Sequence, residues 1–172
     1  MKKPATSRAA ARRSPAPASV RSGAHLPIRR ILVPIDFSDF GKPALAHARH
    51  LATIENAHLI LVHVMDLVYP EEQLSCFEFD AAKLRAWAEG RMQAIAQRDF
   101  AGLRTEIHLR EGHPFEEIVN TARKAKADLI IMATHGATGL DRILMGSTAE
   151  RVVRHAECPV LVVRSRLKKT KS

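Results

Sequence analysis

The chain has 172 residues, of which 46% are hydrophobic, and its formal net charge is +9 at neutral pH. This length suits a single domain with a substantial core. No apolar run reaches the roughly 18 residues that a membrane-spanning helix needs, so we expect no membrane association through such a helix. The two cysteines, Cys76 and Cys158, lack motif spacing, which predicts free thiols in a reducing compartment and thus a cytoplasmic protein, although two cysteines could in principle pair.

The positive charge is concentrated at the two ends of the chain. Residues 1–35 carry eight Lys or Arg, residues 164–172 carry five, and neither range has an acidic residue. Of the 27 basic residues, 14 remain in residues 36–163 against all 18 acidic residues, a net charge of −4. We predict a disordered basic tail at 1–26, a folded domain at 27–165 and a basic C-terminal tail at 166–172. Such tails are usually solvated, and weak, salt-sensitive binding to nucleic acid is the alternative.

The N-terminal part of the domain begins with a compact apolar run, RRILVPID, which ends at Asp36. This run predicts a strand buried on both faces. The segment after it has apolar residues at helical spacing, so it predicts a helix with Ser38 as a plausible N-cap and Pro43 in the first turn.

The rest of the domain continues the alternation of strands and helices. Residues 57–66 predict a buried strand, and residues 67–80 a longer irregular connection. Residues 81–99 predict a helix with Leu84, Trp87, Met92 and Ile95 on one face. Residues 103–112 predict an edge strand, and residues 113–127 a helix with Pro114 near its start. Residues 128–134 predict a buried strand, residues 146–157 a helix and residues 158–164 a final strand.

This order predicts a single α/β domain with a five-stranded parallel sheet and helices on both faces. In open sheets of this kind, ligands bind beyond the carboxyl ends of the strands, where the strand order reverses. Three loops meet this criterion, and they follow Ile35, Val64 and Met132.

The loop with the richest chemistry is MATHGATGLDRILMGST at residues 132–148. Gly136 and Gly139 permit positive φ and close approach of a ligand. Gly146 and Ser147 open the last helix, whose first N–H groups lack intrahelical partners and attract anions. Each feature alone is more often a turn or an N-cap, so these residues leave phosphate binding and a purely structural loop as open alternatives. The loop matches neither a P-loop nor the Rossmann glycine pattern.

Three segments together resemble the universal stress protein family: ILVPIDFSD, LILVHVMD, and the block from Gly112 to Arg164. The resemblance covers about residues 28–164. Its nucleotide-binding members carry the pattern G-x2-G-x9-G-[ST], which reads here as Ala133, Gly136, Gly146 and Ser147. The first glycine is thus an alanine, which is tolerable if the position needs only extended φ.

The resemblance implies a Rossmann-like fold of the adenine nucleotide alpha hydrolase type that binds ATP, ADP or AMP, with or without a bridging Mg²⁺. It assigns the end of the first strand to adenosine, with Asp36 accepting hydrogen bonds, and the glycine-bearing loop to the phosphates. Asp36 as a capping carboxylate and Val64 as plain core are the alternatives. The residues expected to bind nucleotide are Pro34, Ile35, Asp36, Val64, Met132, Ala133, His135, Gly136, Gly146, Ser147 and Thr148.

The resemblance also implies a homodimer, with a plausible interface along the last strand from Pro159 to Val163. No catalytic triad spacing, metal-ligand spacing or obvious general base is present, so we expect a regulatory stress-response protein with at most slow, incidental ATP hydrolysis. His63, inside a predicted strand, is expected to be a satisfied core histidine. The alternative function is a nucleotide-free dimeric module that engages a protein or nucleic acid.

Overall fold

A computed structural model describes residues 27–66, 81–134 and 145–164. The predictions for the two tails, for the connection at 67–80 and for Cys76, His135 and Gly136 lie outside these residues. The elements are β1 (Arg30–Pro34), α1 (Lys42–Glu55), β2 (His58–Met65), α2 (Ala81–Asp99), β3 (Thr105–Glu111), α3 (Pro114–Ala125), β4 (Leu129–Ala133), α4 (Ser147–His155) and β5 (Val160–Val163). A 3-10 turn at Asp39–Gly41 precedes α1.

The five strands form one parallel sheet in the order β3-β2-β1-β4-β5. The predicted fold class is therefore confirmed, and β3 lies at an edge, as its alternating sequence indicated. The chain runs outward from β1 to β3 and then returns to the other side of β1 for β4. The strand order consequently reverses between β1 and β4, which makes the carboxyl ends of these two strands the expected ligand position.

The core has two layers, one on each face of the sheet. Alternate strand residues such as Ile31, Leu59 and Ile131 pack with α1 and α2, while their neighbours Leu32 and Ile130 pack with α3 and α4. All five are fully buried. Truncating one of them to alanine would cost about 2–5 kcal/mol of stability, because the sheet cannot collapse into the cavity. This two-sided burial explains why the strands read as unbroken apolar runs.

The sheet opens between β1 and β4, and Pro34 supplies the reason. The carbonyl of Arg30 accepts from Asp128, the residue before β4, whereas the N–H of Ile35 donates to Val62 in β2. Even-numbered residues of β1 therefore direct their polar groups to β4, and at position 34 the donor is missing because proline has no N–H. Pairing of β1 with β4 ends at Leu32 and Ile130, which leaves the two carboxyl ends free to separate.

Two local predictions were wrong. Ser38 does not cap α1, because the 3-10 turn intervenes and Gly41 is the N-cap of α1. Trp87 is not on the buried face of α2, since its side chain is 51% exposed. The buried stripe runs through Ala88, Met92 and Ile95, and Trp87 is rotated about 100° from it, one residue along a helix of 3.6 residues per turn.

Cys158 is a free, half-buried thiol. Burial raises its pKa, which keeps the thiol protonated at neutral pH. None of the helices in the described ranges combines the length and apolar character needed to cross a membrane.

Candidate functional site

A cleft of about 290 Å³ lies where β1 and β4 separate. Nine of the eleven residues expected to bind nucleotide line it: Pro34, Ile35, Asp36, Val64, Met132, Ala133, Gly146, Ser147 and Thr148. The other two, His135 and Gly136, belong to a segment that the structure does not describe. Residues from three separate parts of the chain thus meet in one concave site, although their role in binding stays a prediction.

The carboxylate of Asp36 lies at the β1 side of the cleft and organises the loop that follows β1. Its Oδ1 accepts from the backbone N–H of Ser38 at 3.0 Å, and the Ser38 hydroxyl donates to both carboxylate oxygens at 2.8 and 2.9 Å. The carboxylate therefore fixes Ser38, the N-cap of the 3-10 turn, and makes no capping bond to the turn or to α1 within the described residues. Oδ2 accepts only one of these bonds and so keeps acceptor capacity for a ligand, and the half-buried side chain lines the cleft.

Phe37, immediately after Asp36, has a left-handed backbone with φ of 62°. This conformation costs an aromatic residue about 1–2 kcal/mol. Aromatic contacts hold it in place: its ring lies 4.2 Å from the ring of His63 and 5.3 Å from that of Trp87. The guanidinium of Arg91 lies 5.2 Å from the Phe37 ring, at cation–π distance. The loop that presents Asp36 is therefore held under strain by packing.

His63 lines the cleft from β2, and the sequence interpretation of it as a core residue was only half correct. It is satisfied, because Nδ1 donates to the carbonyl of Ile35 at 2.7 Å, and a carbonyl can only accept. It is half-buried at the cleft wall, however, and not in the core. Burial lowers the pKa of His63 below its ordinary 6.5, against smaller opposing effects of that hydrogen bond and of Asp36. The neutral ring thus joins β2 to the end of β1.

The start of α4 forms the opposite wall. Gly146 is the N-cap of α4, with φ −59° and ψ 146°, so Ser147 is the first helical residue and not the cap. The N–H of Gly146 donates to the Thr134 carbonyl at 2.8 Å, which ties α4 to the end of β4. The first intrahelical bond is donated by Glu150 to Gly146. The N–H groups of Ser147, Thr148 and Ala149 precede it and lie at the partial positive end of the helix dipole.

Ala133, which replaces the first glycine of the family pattern, ends β4 in half-buried, extended backbone. It is not among the described residues with positive φ, which are Phe37, Asn56, Lys126, Gly102 and Gly112. The backbone therefore accepts alanine without strain, which removes the conformational objection to this substitution. The additional methyl group affects only the space at the cleft wall.

Sequence reasoning missed several cleft residues, including Gly41, Pro114 and Thr134. Gly41 has negative φ, and a methyl group added to it would stand 3.7 Å from Oδ1 of Asp36, at ordinary contact distance. Its proximity to Asp36 is local and results from the 3-10 turn, which the sequence interpretation did not include. Pro114 carried a signal that could have been used, because it begins the helix that follows β3 at the carboxyl edge of the sheet.

The fold defines an open, doubly wound α/β protein, with a cleft at the reversal of strand order. A model of the universal stress protein family matches residues 27–164. The chain belongs to the universal stress protein family.

The chain is similar to members of this family along most of its length. It is 37% identical over 150 residues to universal stress protein MJ0531 of Methanocaldococcus jannaschii, a match over 84% of this chain and 86% of the relative. It is 33% identical over 153 residues to MJ0577 of the same organism, a match over 79% of this chain and 94% of the relative.

Two solved structures show the same similarity. The structure of the protein MJ0577 matches with a TM-score of 0.72 and 35% identity, over 83% of this chain and 100% of that one. A universal stress protein in complex with cAMP matches with a TM-score of 0.60 and 25% identity, over 81% of this chain and 98% of that one.

Proposed function

We propose that this protein binds an adenine nucleotide, with ATP as the principal ligand, in the cleft between β1 and β4, and that it acts in the stress response as a regulatory binding protein. One observation carries the proposal: Asp36 and the N-terminus of α4 face the same cleft. A carboxylate that accepts from ribose or adenine and a helix start that binds anions are the two recognition elements that a nucleotide needs. The related structure that contains cAMP supports this class of ligand.

The nucleotide would lie with its adenosine near Pro34, Asp36 and Val64 and its phosphates at the N–H groups of Ser147 and Thr148. Apolar cleft residues such as Met132 would cover the base. The described residues contain no cluster of three metal-ligating side chains, so a bound Mg²⁺ would rest mainly on phosphate oxygens and water, which magnesium tolerates well.

Regulation is a better proposal than catalysis for this cleft. The neutral His63 already donates to Ile35, and Asp36 already accepts from Ser38, so both are engaged in positioning the β1 loop. Both belong to the adenosine side of the proposed pose, far from a γ-phosphate. A nucleotide hydrolase needs a group beside the γ-phosphate that orients or deprotonates the attacking water. We therefore propose no dedicated enzymatic activity.

We also propose a cytoplasmic homodimer that associates through β5. This strand is one edge of the sheet, and Val160, Leu161 and Val162 are only half-buried. An exposed apolar edge strand favours pairing with a second copy. A reducing location agrees with the free thiol of Cys158.

The decisive experiment combines mass spectrometry of small molecules released from protein purified without added nucleotide with calorimetric titration of ATP, ADP, AMP and GTP. We expect saturable binding of adenine nucleotides and weaker binding of GTP. A ligand that prefers the native state must also raise the melting temperature. Absence of released nucleotide, of heat and of a thermal shift at millimolar ATP would reject the proposal in favour of the nucleotide-free module.

A further inference from the structure

A second groove of about 250 Å³ has none of its described lining residues in common with the nucleotide cleft. It lies between the C-terminal half of α3 and the β3 edge of the sheet. Its existence follows from the topology, since α3 packs on β2 and β1 and leaves the same face of β3 beside it. The residues that line this groove are Arg30, His58, Ile60, Glu106, His108, Arg110, Thr121, Lys124 and Ala125.

A hydrogen-bonded chain of side chains runs along β3 in this groove. The guanidinium of Arg110 donates to Nδ1 of His108 at 2.7 Å, and Nε2 of His108 bonds to a Glu106 oxygen at 2.7 Å. Because a guanidinium only donates and a carboxylate only accepts, the pattern assigns the His108 proton to Nε2. The second Glu106 oxygen lies 4.0 Å from Nε2 of His58. Glu106 is thus held beside two imidazoles.

The cationic side chains of the groove retain donors. Arg30 donates from one terminal guanidinium nitrogen to the carbonyl of Ala125 at 2.6 Å, which caps the C-terminus of α3 and offsets the negative end of its dipole. Arg30 and Arg110 each use one of the five N–H donors of a guanidinium in these bonds. Lys124, exposed on α3, makes no ion pair within the described residues. Among the described lining residues, the three cations face a single carboxylate, Glu106, so the formal net charge of this lining is +2.

Thr121 is the most informative residue of the groove. It is 2% exposed, and its hydroxyl oxygen has no hydrogen-bond partner within the described part of the chain. A helical threonine can satisfy its hydroxyl with the carbonyl four residues earlier, but this one does not. An unpaired buried hydroxyl destabilises the fold, and valine has nearly the same shape without that cost. A buried, unsatisfied donor in a groove that three cations also line indicates a missing acceptor.

We propose that this groove is a second ligand site, which binds free inorganic phosphate. A phosphate dianion matches the formal charge of the described lining and would accept from the Thr121 hydroxyl, from Arg110 and from Lys124. Hydrogen bonds from cationic donors to such an oxyanion are short and strong. Phosphate has no apolar surface to bury, in agreement with the described lining residues, of which only Ile60 and Ala125 are apolar.

The test is calorimetric titration of inorganic phosphate into the full chain in chloride buffer, with melting temperatures measured in parallel. Thr121→Val should melt at the same or a higher temperature without phosphate, because it removes an unsatisfied hydroxyl. It should bind phosphate about tenfold more weakly, the loss expected for one hydrogen bond to a charged group. Lys124→Gln, on the exposed helix surface, should also weaken binding without harm to the fold.

Two control variants establish whether phosphate binding belongs to this groove. Arg98→Gln makes the same change in net charge on an exposed α2 residue outside the groove and should leave phosphate affinity unchanged. Gly146→Val obstructs the phosphate end of the nucleotide cleft and should also leave it unchanged, whether or not that cleft binds ATP. Loss of phosphate binding in Gly146→Val would overturn the proposal. Parental phosphate affinity in both Thr121→Val and Lys124→Gln would also overturn the proposal. The absence of saturable binding at millimolar phosphate would overturn it too, and the Thr121 hydroxyl would then bind only water.

Discussion

Ser147→Ala separates a phosphate ligand from a structural residue at the start of α4. Ser147 is exposed, occupies the first helical position and makes no side-chain capping bond. Its truncation should therefore change the free energy of unfolding by no more than about 0.5 kcal/mol, as for an ordinary surface residue. For a chain of this size, that corresponds to a melting-temperature shift of about 1–2 °C.

The effect on nucleotide binding should be much larger. If the Ser147 hydroxyl donates to a phosphate, its loss removes a hydrogen bond to a charged group, worth about 1.5–3 kcal/mol. At about 1.36 kcal/mol per factor of ten, the ATP dissociation constant should rise about 10- to 150-fold. AMP, if its single phosphate does not reach the hydroxyl, should lose less affinity than ATP.

The assay is isothermal titration of ATP into parent and variant, with thermal melts of both proteins without ligand. Thr53→Ala is a matched control, because it removes a helical hydroxyl that donates to the Arg49 carbonyl and is not among the described cleft residues. Its ATP affinity should equal that of the parent. Parental ATP affinity in a folded Ser147→Ala protein would refute the direct phosphate contact and leave the backbone N–H groups as the whole of the anion site.

Variants at four other positions test the rest of the geometry. Gly146→Val should abolish ATP binding in calorimetry and melt within a few degrees of the parent, because valine readily adopts the φ of −59° and ψ of 146° at this position. A large drop in melting temperature would show that this backbone argument is wrong. Ala133→Gly should tighten ATP binding if the methyl group crowds the ligand, and an unchanged dissociation constant would show that it does not. Because the pKa of His63 is lowered in the folded state, the unfolded chain binds a proton just below pH 6.5 that the folded chain does not yet bind. The free energy of unfolding should therefore fall on acidification through pH 6.5. In thermal melts across pH, His63→Asn, which keeps a donor for the Ile35 carbonyl, should show a smaller fall. Val162→Lys, on the β5 edge, should convert a dimer to a monomer in light scattering, and a persistent dimer would place the interface elsewhere.

The sequence predicted the elements well because their signals are local. Runs such as ILVPI and LIIMA are apolar without interruption, which is what strands buried on both faces require, and both became interior strands of the sheet. The acidic first turn and the proline of α3 likewise predicted its start. Where two local signals competed, the prediction failed: Ser38 is a good capping residue, but Asp36 engages it, and the chain makes a 3-10 turn before α1 begins at Lys42.

The candidate site could be predicted only in part. Pro34, Asp36 and the α4 start followed from family resemblance and from the rule that ligands bind at the carboxyl edge. The same resemblance could not tell whether Ala133 is strained, since φ is a property of the folded backbone. His63 was misplaced because a histidine in an apolar run reads as core, whereas its position at the cleft depends on where β2 ends relative to β1.

By itself, the amino-acid sequence determined the order of strands and helices, the parallel sheet and the two buried layers, because hydrophobic periodicity acts on neighbouring residues and dictates which faces must leave water. Only the tertiary structure decided the strand order β3-β2-β1-β4-β5, the separation of β1 from β4 beyond Leu32, and the exposure of Trp87. Only the tertiary structure brought Thr121 of α3 into one groove with Arg30 and Arg110, two arginines that are 80 residues apart in the chain. Such meetings depend on how separate elements pack against one another, and no local pattern of residues encodes that packing.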